Sequence, residues 1–482
     1  MGDEIEYKKF RQSDYQQFVA CLEGETALVK EWFDNRRFSS GELMAGYELE
    51  AWLINKRGHP APINKEFLAL ADNAMLSPEL AKFNIELNVE PERLQGNVLS
   101  TFEGSLNRLW LQCSTTAQSL EREFLGIGIL PSLQDDDLTL KNISMLDRYR
   151  ALNEQVLRQR KGLGIKLDIN GTEHLQVIHK DVMLEAAATS LQIHIQVPQA
   201  LATRYYNASI LLSAPMVAIS ANSPCLFGKR LWQETRIPVF EQAVPAGGYG
   251  GAAAGPVKRV GFGTGYARES LYECFLENLE HFPVLLPVHF EDGAAELKHL
   301  RLQNGTIWRW NRPLIGFDQD GSPHLRIEHR VCAAAPSMLD NIANIAFFYG
   351  LVHYYASHEQ PPEQQISFAD VKQDFYRCAQ LGLRHKTRWL GGEVKSMQGI
   401  ILDTLLEQSE IGLNKLGVVD KDVQRYLAIV EQRVSQNKTG SQWQLDFLNA
   451  HQDDSNLLTL TYLNNQKTGR PVHEWDLEVS PC

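Results

Sequence analysis

Acidic side chains recur at alternate positions in three short segments of this 482-residue chain. Glu48 and Glu50 occupy the first segment, Glu86 the second and Glu328 the third. Side chains alternate between the two faces of a β-strand, so each segment would present its acids on one side. Carboxylates gathered on one face repel one another unless cations lie over them, and Mg²⁺ takes oxygen ligands and bridges carboxylates to phosphates. The spacing therefore predicts a metal-dependent enzyme that acts on phosphates.

The same alternation places a histidine and two arginines among these acids. His194 follows Gln192 at a spacing of two, and Glu328 stands between Arg326 and Arg330 on one face. An acid beside arginines suits joint contact with a metal and a phosphate. The alternative for each strand is the solvent face of an antiparallel sheet, and a lone histidine in an apolar strand is more often a core residue than a ligand. The first two faces hold acids with no lysine or arginine among them, which favours the metal interpretation.

The composition excludes several other classes of protein. The hydrophobic fraction of 44% and the charged fraction of 22% are those of a globular protein. The net charge of −12, without a basic run that carries aromatics, argues against a nucleic-acid partner. The sequence predicts neither a membrane span nor a secretory signal, and its seven scattered cysteines indicate a reducing compartment. We therefore predict a cytoplasmic protein with small-molecule substrates and no membrane partner, and a homo-oligomer is left open.

Helical and strand patterns alternate irregularly around the acidic segments, which predicts an α+β fold with an antiparallel or mixed sheet. The predicted strands cover 46–53, 83–91, 126–131, 190–198 and 324–331. The predicted helices cover 13–36, 63–81, 97–123, 147–160, 200–220, 337–356 and 421–436.

Two further features concern loops and the division of the chain. Asp320-Gly321 predicts a turn before the last acidic strand, and the glycine-rich stretch at 245–265 is predicted to be a lid that orders over substrate. We predict one large domain in three parts. These are an N-terminal helical extension over 1–40, a catalytic α+β part over 41–360 and a helical C-terminal portion over 361–482.

Short pieces of the chain resemble, in order, the type 2 glutamate–cysteine ligase family, also described as carboxylate–amine ligases. Together they run from about residue 42 to about residue 450, and Thr439-Gly440 is similar to a motif near that family's end. The ordered set is more specific than any one piece. The other pieces are Glu48-Leu49-Glu50, Glu86-Leu87-Asn88, Gly128-Ile129-Leu130-Pro131, Arg148-Tyr149, Thr189-Ser190-Leu191-Gln192-Ile193-His194, Ala221-Asn222-Ser223-Pro224 and Glu328-His329-Arg330.

The resemblance implies a glutamine synthetase-like fold, in which a curved, mostly antiparallel sheet forms an active-site funnel with helices packed outside. It implies an ATP- and Mg²⁺-dependent ligase that transfers the terminal phosphoryl group to a carboxylate, commonly the γ-carboxylate of glutamate. An amine, such as that of cysteine, would then attack the acyl phosphate. The metal-binding residues it implies are Glu48, Glu50, Glu86, His194 and Glu328, with Glu79 as a weaker candidate.

The resemblance also implies roles for other residues. The catalytic group would comprise Glu48, Glu328 and Arg330. Contacts to the nucleotide are predicted for Arg236, Arg312, Arg330 and Asn222, and contacts to the amino-acid substrate for Arg148, Tyr149 and Gln192. Each has a plainer explanation: surface salt bridges for the arginines, a turn cap for Asn222, a helix start for Arg148 and Tyr149, and a cross-strand hydrogen bond for Gln192.

We therefore expect an ATP-dependent ligase that makes γ-glutamylcysteine, the substrate for glutathione biosynthesis. A second hypothesis keeps the chemistry and changes the amino acid or the amine. A third is a non-catalytic protein that binds nucleotide or an amino acid to regulate a partner. A degenerate descendant would have lost acids from the strands, and the presence of Glu48, Glu50, Glu86 and Glu328 favours catalysis.

Overall fold

The computed structural model describes residues 9–246 and 258–479. Its strands are β1 (Met44–Asn55), β2 (Leu76–Pro78), β3 (Asn84–Asn88), β4 (Glu92–Arg93), β5 (Arg122–Leu125), β6 (Ile165–Asn170), β7 (His174–His179), β8 (Ser190–Val197), β9 (Cys225–Leu226), β10 (Lys229–Arg230), β11 (Val260–Gly261), β12 (Trp308–Arg309), β13 (Asn311–Phe317), β14 (Pro323–Ala333), β15 (Lys386–Arg388) and β16 (Val394–Ser396).

Helices surround these strands and make up most of the C-terminal third. They are α1 (Gln12–Asp34), α2 (Asn64–Ala71), α3 (Val98–Ser119), α4 (Asp147–Gln159), α5 (Gln199–Leu211), α6 (Ser213–Ser220), α7 (Arg236–Ala243), α8 (Tyr272–His281), α9 (Lys298–Gly305), α10 (Met338–Ala356), α11 (Phe368–Leu381), α12 (Met397–Ile400), α13 (Leu406–Lys415), α14 (Asp420–Ser435), α15 (Gly440–Ala450) and α16 (Ser455–Lys467).

The central sheet joins the four predicted acidic and histidine strands. Its order is β13-β14-β8-β1-β3-β2, and β4 and β5 pair with opposite ends of β1. Every pairing in this sheet is antiparallel. The predicted α+β fold with a mostly antiparallel sheet is therefore confirmed. Since the acids and His194 occupy alternate positions of paired strands, one face of the sheet carries the polar residues.

The opposite face of the sheet forms the core. Leu49, Ile193 and Ile327 point away from the polar face and are fully buried. The apolar helix α10 packs behind them, and the Tyr349 hydroxyl lies 2.7 Å from the backbone carbonyl oxygen of His194. Ser337 caps α10 by accepting a hydrogen bond from the N–H of Asp340, as the sequence indicates. Burial on this face fixes the register of the strands, and thus which side chains reach the polar face.

One predicted helix, at 63–81, is wrong beyond its first half. Helix α2 ends at Ala71, because Asp72 adopts the left-handed conformation at φ 42° and stops the helix. The chain then enters β2, the edge strand that pairs with β3. Glu79 follows β2 directly, so it lies at the sheet and not on a helix.

Two other predicted elements also need correction. The buried strand lies at β5 and not at 126–131, where the carbonyl of Gly126 accepts a hydrogen bond from Gln466 Nε2 at 2.8 Å in place of a strand partner. The helix predicted at 200–220 divides into α5 and α6. Pro215 has no N–H to bond the carbonyl of Leu211, which accounts for the break.

The predicted turn at Asp320-Gly321 is confirmed. It joins β13 to β14, and Gly321 adopts a positive φ of 83° that a residue with a Cβ tolerates poorly. Residues 247–257 of the glycine-rich stretch lie outside the described residues, so the predicted lid stays a prediction. No helix in the described parts of the chain is both long enough and apolar enough to cross a bilayer.

The N-terminal helix α1 packs against α8 and α9. Glu25 of α1 is buried, and its carboxylate accepts a hydrogen bond from the N–H of Leu300 at 2.7 Å and lies 2.6 Å from His299 Nδ1. It therefore bonds to the first turn of α9, a helix whose residues border the cavity described below. The proposed division of the chain at residues 40 and 360 stays a prediction.

Candidate active site

A cavity of about 310 Å³ lies over the polar face of the sheet. Its volume is in the range of small-molecule binding sites. Most of the predicted site residues border it, although they come from points as far apart as residues 48 and 330 in sequence. Its charged and polar lining includes Glu48, Glu50, Glu79, Arg148, Tyr149, Glu185, Gln192, Arg236, Arg312, Arg326, Glu328 and Arg330.

Glu48, His194 and Glu328 form one group of potential metal ligands, here called the histidine cluster. One ligand atom from each lies within 4.8 Å of the other two. The group forms because β1 and β14 both pair with β8, which sets Glu328 directly opposite His194. His194 Nε2 lies 3.6 Å from Glu48 Oε1 and 3.9 Å from Glu328 Oε1.

The state of His194 suits a metal ligand. Burial, reinforced by the nearby Arg326, lowers the pKa of His194 to about 3, so its imidazole is neutral near pH 7. Its Nε2 is buried and has no hydrogen-bond partner in the described parts of the chain. A neutral imidazole nitrogen that faces two carboxylates, without a partner of its own, fits a bound cation.

Arginines surround Glu328. Arg312 stands opposite it on β13 and donates two hydrogen bonds to it, from Nε to Oε2 and from Nη2 to Oε1, each at 2.9 Å. Arg330 Nη1 lies 3.6 Å from Oε2. Burial alone would raise the pKa of Glu328, but the two guanidinium groups outweigh it and hold that pKa well below its usual range. Glu328 is therefore ionised at any pH near neutrality.

Glu50, Glu79 and Glu86 form a second group, here called the carboxylate cluster. One oxygen from each lies within 4.8 Å of the other two. Glu50 and Glu86 stand directly opposite each other on β1 and β3, and the edge strand β2 brings Glu79 alongside. Glu50 accepts hydrogen bonds from the N–H of Ser190 at 2.7 Å and from Gln192 Nε2 at 2.9 Å. The amide of Gln192 thus orients one of the predicted metal ligands.

The carboxylate cluster holds little positive charge of its own. Burial, reinforced by the charge of Glu86, raises the pKa of Glu50 to about 7. Burial, together with Glu86 and Glu50, also raises the pKa of Glu79 well above its usual range. Glu50 and Glu79 therefore resist ionisation unless a cation joins the cluster. An all-oxygen set of this kind fits Mg²⁺.

Arg148 and Tyr149, predicted to contact the substrate, lie beside the carboxylate cluster. Arg148 Nη2 donates a hydrogen bond to the Tyr149 hydroxyl at 2.9 Å, and its guanidinium carbon lies 4.7 Å from the centre of the Tyr149 ring. The hydroxyl in turn donates to the carbonyl of Pro78 at 3.2 Å, one residue before Glu79. The pair borders the cavity, and its contact with substrate stays a prediction.

Arg236 and Asn222, predicted to contact the nucleotide, are both buried among protein partners. Arg236 bonds the backbone carbonyls of Arg330 and Val331 and lies 3.3 Å from Glu234, so it holds the strand that carries Arg330. Asn222 does not border the cavity, and its amide donates to backbone and side-chain oxygens away from it. The function proposed below therefore involves no direct contact of Asn222 with a nucleotide.

Four charged residues of the cavity wall were not among the predicted site residues: Glu185, Lys298, Arg301 and Arg326. Arg326 shares the face of Glu328 two positions away, so the alternation on β14 already indicated its direction. Glu185 lies in the 3₁₀ turn Met183–Ala187 just before β8. No spacing pattern marks an acid in a single turn of this kind, and only the three-dimensional arrangement reveals its position.

Comparison with known proteins identifies a matching family and similar solved structures. The sequence profile of glutamate–cysteine ligase family 2 matches residues 44–463. The structure resembles the glutamate–cysteine ligase of Francisella tularensis, solved in complex with AMP, with a TM-score of 0.56 and 11% identity over 92% of this chain and 91% of that one. It also aligns with a bifunctional glutathione synthetase from Pasteurella multocida, with a TM-score of 0.48 and 11% identity over 92% of this chain and 55% of that one. No protein of curated function matches the sequence.

The family match covers most of the chain and includes every residue of the two clusters. The predicted resemblance and the predicted glutamine synthetase-like fold, with a curved antiparallel sheet, are both confirmed. The chain belongs to glutamate–cysteine ligase family 2 and is an ATP-dependent ligase.

Proposed function

We propose that this ligase joins the γ-carboxylate of glutamate to the amine of cysteine, with ATP and Mg²⁺, through an acyl phosphate. One observation carries the proposal: two clusters of potential metal ligands share a single cavity with several arginines. This is the arrangement that phosphoryl transfer needs, because catalysis of that reaction depends on positioning and on charge neutralisation. The glutamate–cysteine ligase that the structure resembles was solved with AMP, which supports a nucleotide as the phosphoryl donor.

In the first step the protein would bind and orient two anions, the triphosphate and the substrate carboxylate. Arg330 lies close enough to Glu328 to contact both a phosphate and a metal-bound carboxylate. Arg326 borders the same cavity, and its Nε has no hydrogen-bond partner in the described parts of the chain, so it is free to meet an anion. Mg²⁺ held by the two clusters would neutralise the phosphate oxygens. The substrate carboxylate is ionised at pH 7 and needs no base.

The cavity offers an apolar region for the nucleotide base. Aromatic and aliphatic side chains from α7, α8, the segment that follows α8 and β12 form another part of the lining. Adenine would stack there while the triphosphate extends toward the arginines. These side chains are Phe240, Phe275, Leu286, Phe290 and Trp308.

Phosphate release from ATP tests the proposal. The protein is incubated with ATP, Mg²⁺, glutamate and a panel of amines, and each component is omitted in turn. Release that needs both glutamate and cysteine supports the proposal. Release with another pair of substrates would mean that the enzyme uses the same chemistry on a different carboxylate or amine. No release with any pair would contradict the proposal and would favour a regulatory protein that binds nucleotide.

A variant control separates enzyme activity from contamination. Glu48→Gln keeps the size of the side chain and removes one ligand from the histidine cluster, so glutamate-dependent release should fall to the background of the assay. The melting temperature of the variant should stay close to that of the wild type, because Glu48 is partly exposed at the cavity wall. Unchanged release in this variant would show that the activity comes from elsewhere.

A further inference from the structure

Glu185 is a charged residue of the cavity wall that belongs to neither cluster. It lies in the 3₁₀ turn Met183–Ala187, and its side chain borders the cavity. The residues that follow it, Ala186, Ala187 and Ala188, have the smallest side chains that carry a Cβ. These small side chains leave space beside the carboxylate, so a ligand group can approach it closely.

One oxygen of Glu185 is left without a donor. Glu185 Oε2 is buried and has no hydrogen-bond partner among the described residues. A buried carboxylate oxygen without a donor costs free energy, so such an atom at a cavity wall is most stable when a ligand supplies the donor. Burial raises the pKa of Glu185 to about 7, and the charge of Arg330 opposes that rise.

Arg330 does not fully compensate Glu185. Its Nη1 lies 3.6 Å from Glu328, and its guanidinium carbon lies 5.4 Å from the centre of the Phe240 ring. Arg312 already pairs with Glu328, whereas no arginine or lysine in the described parts of the chain forms an ion pair with Glu185. This point of the cavity therefore suits a positive ligand group that can donate hydrogen bonds.

Resting on the function proposed above, we propose that Glu185 binds the ammonium group of the amine substrate and accepts its proton before the amide bond forms. The triphosphate and the reacting carboxylate are anions that Glu185 would repel. Both amino-acid substrates carry an ammonium group that it would attract, but only that of cysteine must give up a proton to react. The proton passes from the ammonium nitrogen to the Glu185 carboxylate. The freed lone pair attacks the acyl carbon, the C–N bond forms, and the C–O bond to phosphate breaks as phosphate leaves with its electron pair and takes up the second proton lost by the nitrogen.

Glu185→Gln and a pair of amines test the proposal. Cysteine carries an ammonium group at pH 7.5, whereas hydroxylamine is mostly uncharged at that pH and needs no carboxylate to bind or deprotonate it. The variant should raise the KM for cysteine, or for whichever amino acid the wild type uses, about 10- to 100-fold. Formation of the glutamyl hydroxamate from hydroxylamine should change by less than about twofold, as should the KM values for ATP and glutamate.

Glu66→Gln is the matched control, because Glu66 is an exposed acid on α2 outside the cavity. It should leave both reactions unchanged. Equal losses of amide and hydroxamate in Glu185→Gln, a raised KM for glutamate, or unchanged amide formation would each overturn the assignment of Glu185. A wild-type protein that makes neither the amide nor the hydroxamate from glutamate would instead overturn the proposed function.

Discussion

The histidine cluster and the carboxylate cluster lie side by side, yet their electrostatics are opposite. Glu48 and Glu50 are two residues apart on β1, and each belongs to a different cluster. The histidine cluster contains two carboxylates with a neutral imidazole, and Arg312 holds one of those carboxylates in a bidentate ion pair. The carboxylate cluster contains the buried acids Glu50 and Glu86, which receive hydrogen bonds from neutral donors, and the half-buried Glu79.

One strand can therefore contribute to two groups of potential metal ligands that differ in how readily their acids ionise before a cation binds. Glu328 of the histidine cluster, which pairs with Arg312, is ionised with or without a cation because its pKa lies well below the usual range. The carboxylate cluster resists full ionisation until a cation arrives, because burial and mutual repulsion raise the pKa of Glu50 to about 7. We therefore expect the first site to be insensitive to pH near neutrality and the second to compete with protons.

The largest expected effect comes from Glu328→Gln, which breaks the histidine cluster. The substitution removes a ligand and also leaves two buried guanidinium groups, those of Arg312 and Arg330, without their carboxylate. We expect ligase turnover to fall by at least about 100-fold at any Mg²⁺ concentration, a loss typical of removing a group that stabilises developing charge. The measurement is kcat for phosphate release at saturating substrates.

Glu50→Gln provides the comparison for that variant. It alters the carboxylate cluster and leaves the arginine pairs intact, so part of its loss should be recovered by raising Mg²⁺. If excess Mg²⁺ restores Glu328→Gln as well as it restores Glu50→Gln, then the two clusters do not differ in the way described here.

The next effect comes from Arg312→Lys, which should make the histidine cluster behave more like its neighbour. Lysine keeps the charge and loses the planar pair of donors, so its hold on Glu328 weakens. Because the weaker ion pair no longer fully offsets the effect of burial, the pKa of Glu328 should rise toward neutrality. We expect activity to fall about 10- to 100-fold. The acid limb of the pH profile of kcat/KM should move to higher pH.

Arg309→Lys is the control for that variant. Arg309 is a buried arginine that pairs with Glu277 at 3.0 Å and does not border the cavity. The substitution should lower the melting temperature without moving the acid limb. An acid limb that moves equally in both variants would mean that Arg312 acts only through general stability.

The strands and the direction of the acids were predictable from sequence because strand periodicity is a local property. Glu48, Glu50, Glu86 and Glu328 alternate with buried apolar residues, so their common face follows from the pattern alone. Their separation into two clusters was not predictable in this way. It depends on which strands are neighbours, since β8 borders one side of β1 and β3 borders the other.

The pairing of Arg312 with Glu328 could be predicted from the sequence, whereas the position of Glu79 could not. The turn at Asp320-Gly321 fixes the β13–β14 register, which places Arg312 opposite Glu328. Glu79 joins the carboxylate cluster only because α2 ends early and β2 pairs at the sheet edge. Asn222 lies in a segment that resembles the family, yet its buried amide donates hydrogen bonds to groups of the protein. A sequence motif cannot distinguish this structural role from contact with a nucleotide.

A smaller effect should appear in the response of the wild-type protein to Mg²⁺ and pH. The folded-state pKa of Glu50, at about 7, lies above its ordinary value of 4.5, so the folded state binds more protons between these pH values and the metal-free protein loses stability as pH rises through them. Mg²⁺ would bind the ionised form and so offset that loss. The Mg²⁺-induced rise in melting temperature should be about 1–3 °C larger at pH 8 than at pH 6.

The histidine cluster should contribute nothing to that difference. The stability that ionised Glu328 supplies is lost only as pH falls below the usual carboxyl range, and His194, with a pKa of about 3, stays neutral throughout. Differential scanning fluorimetry with Mg²⁺ or with a chelator measures the difference, and Glu50→Gln should flatten it. An Mg²⁺ response that is equal at the two pH values would remove the proposed competition with protons.

The smallest expected effect is a gain in stability from Glu79→Gln. Burial and its two neighbours raise the pKa of Glu79 well above the usual range, so glutamine imitates the protonated form that the metal-free site prefers. At pH 8, in chelator, the variant should melt about 1–2 °C above the wild type, because one source of repulsion has gone. The same variant should lose most of its Mg²⁺-induced stabilisation, so that added Mg²⁺ reverses the order of the two melting temperatures. A variant that is less stable than the wild type in chelator would mean that hydrogen bonds to Glu79 outweigh the repulsion among the three acids, and that the carboxylate cluster is held by the protein alone.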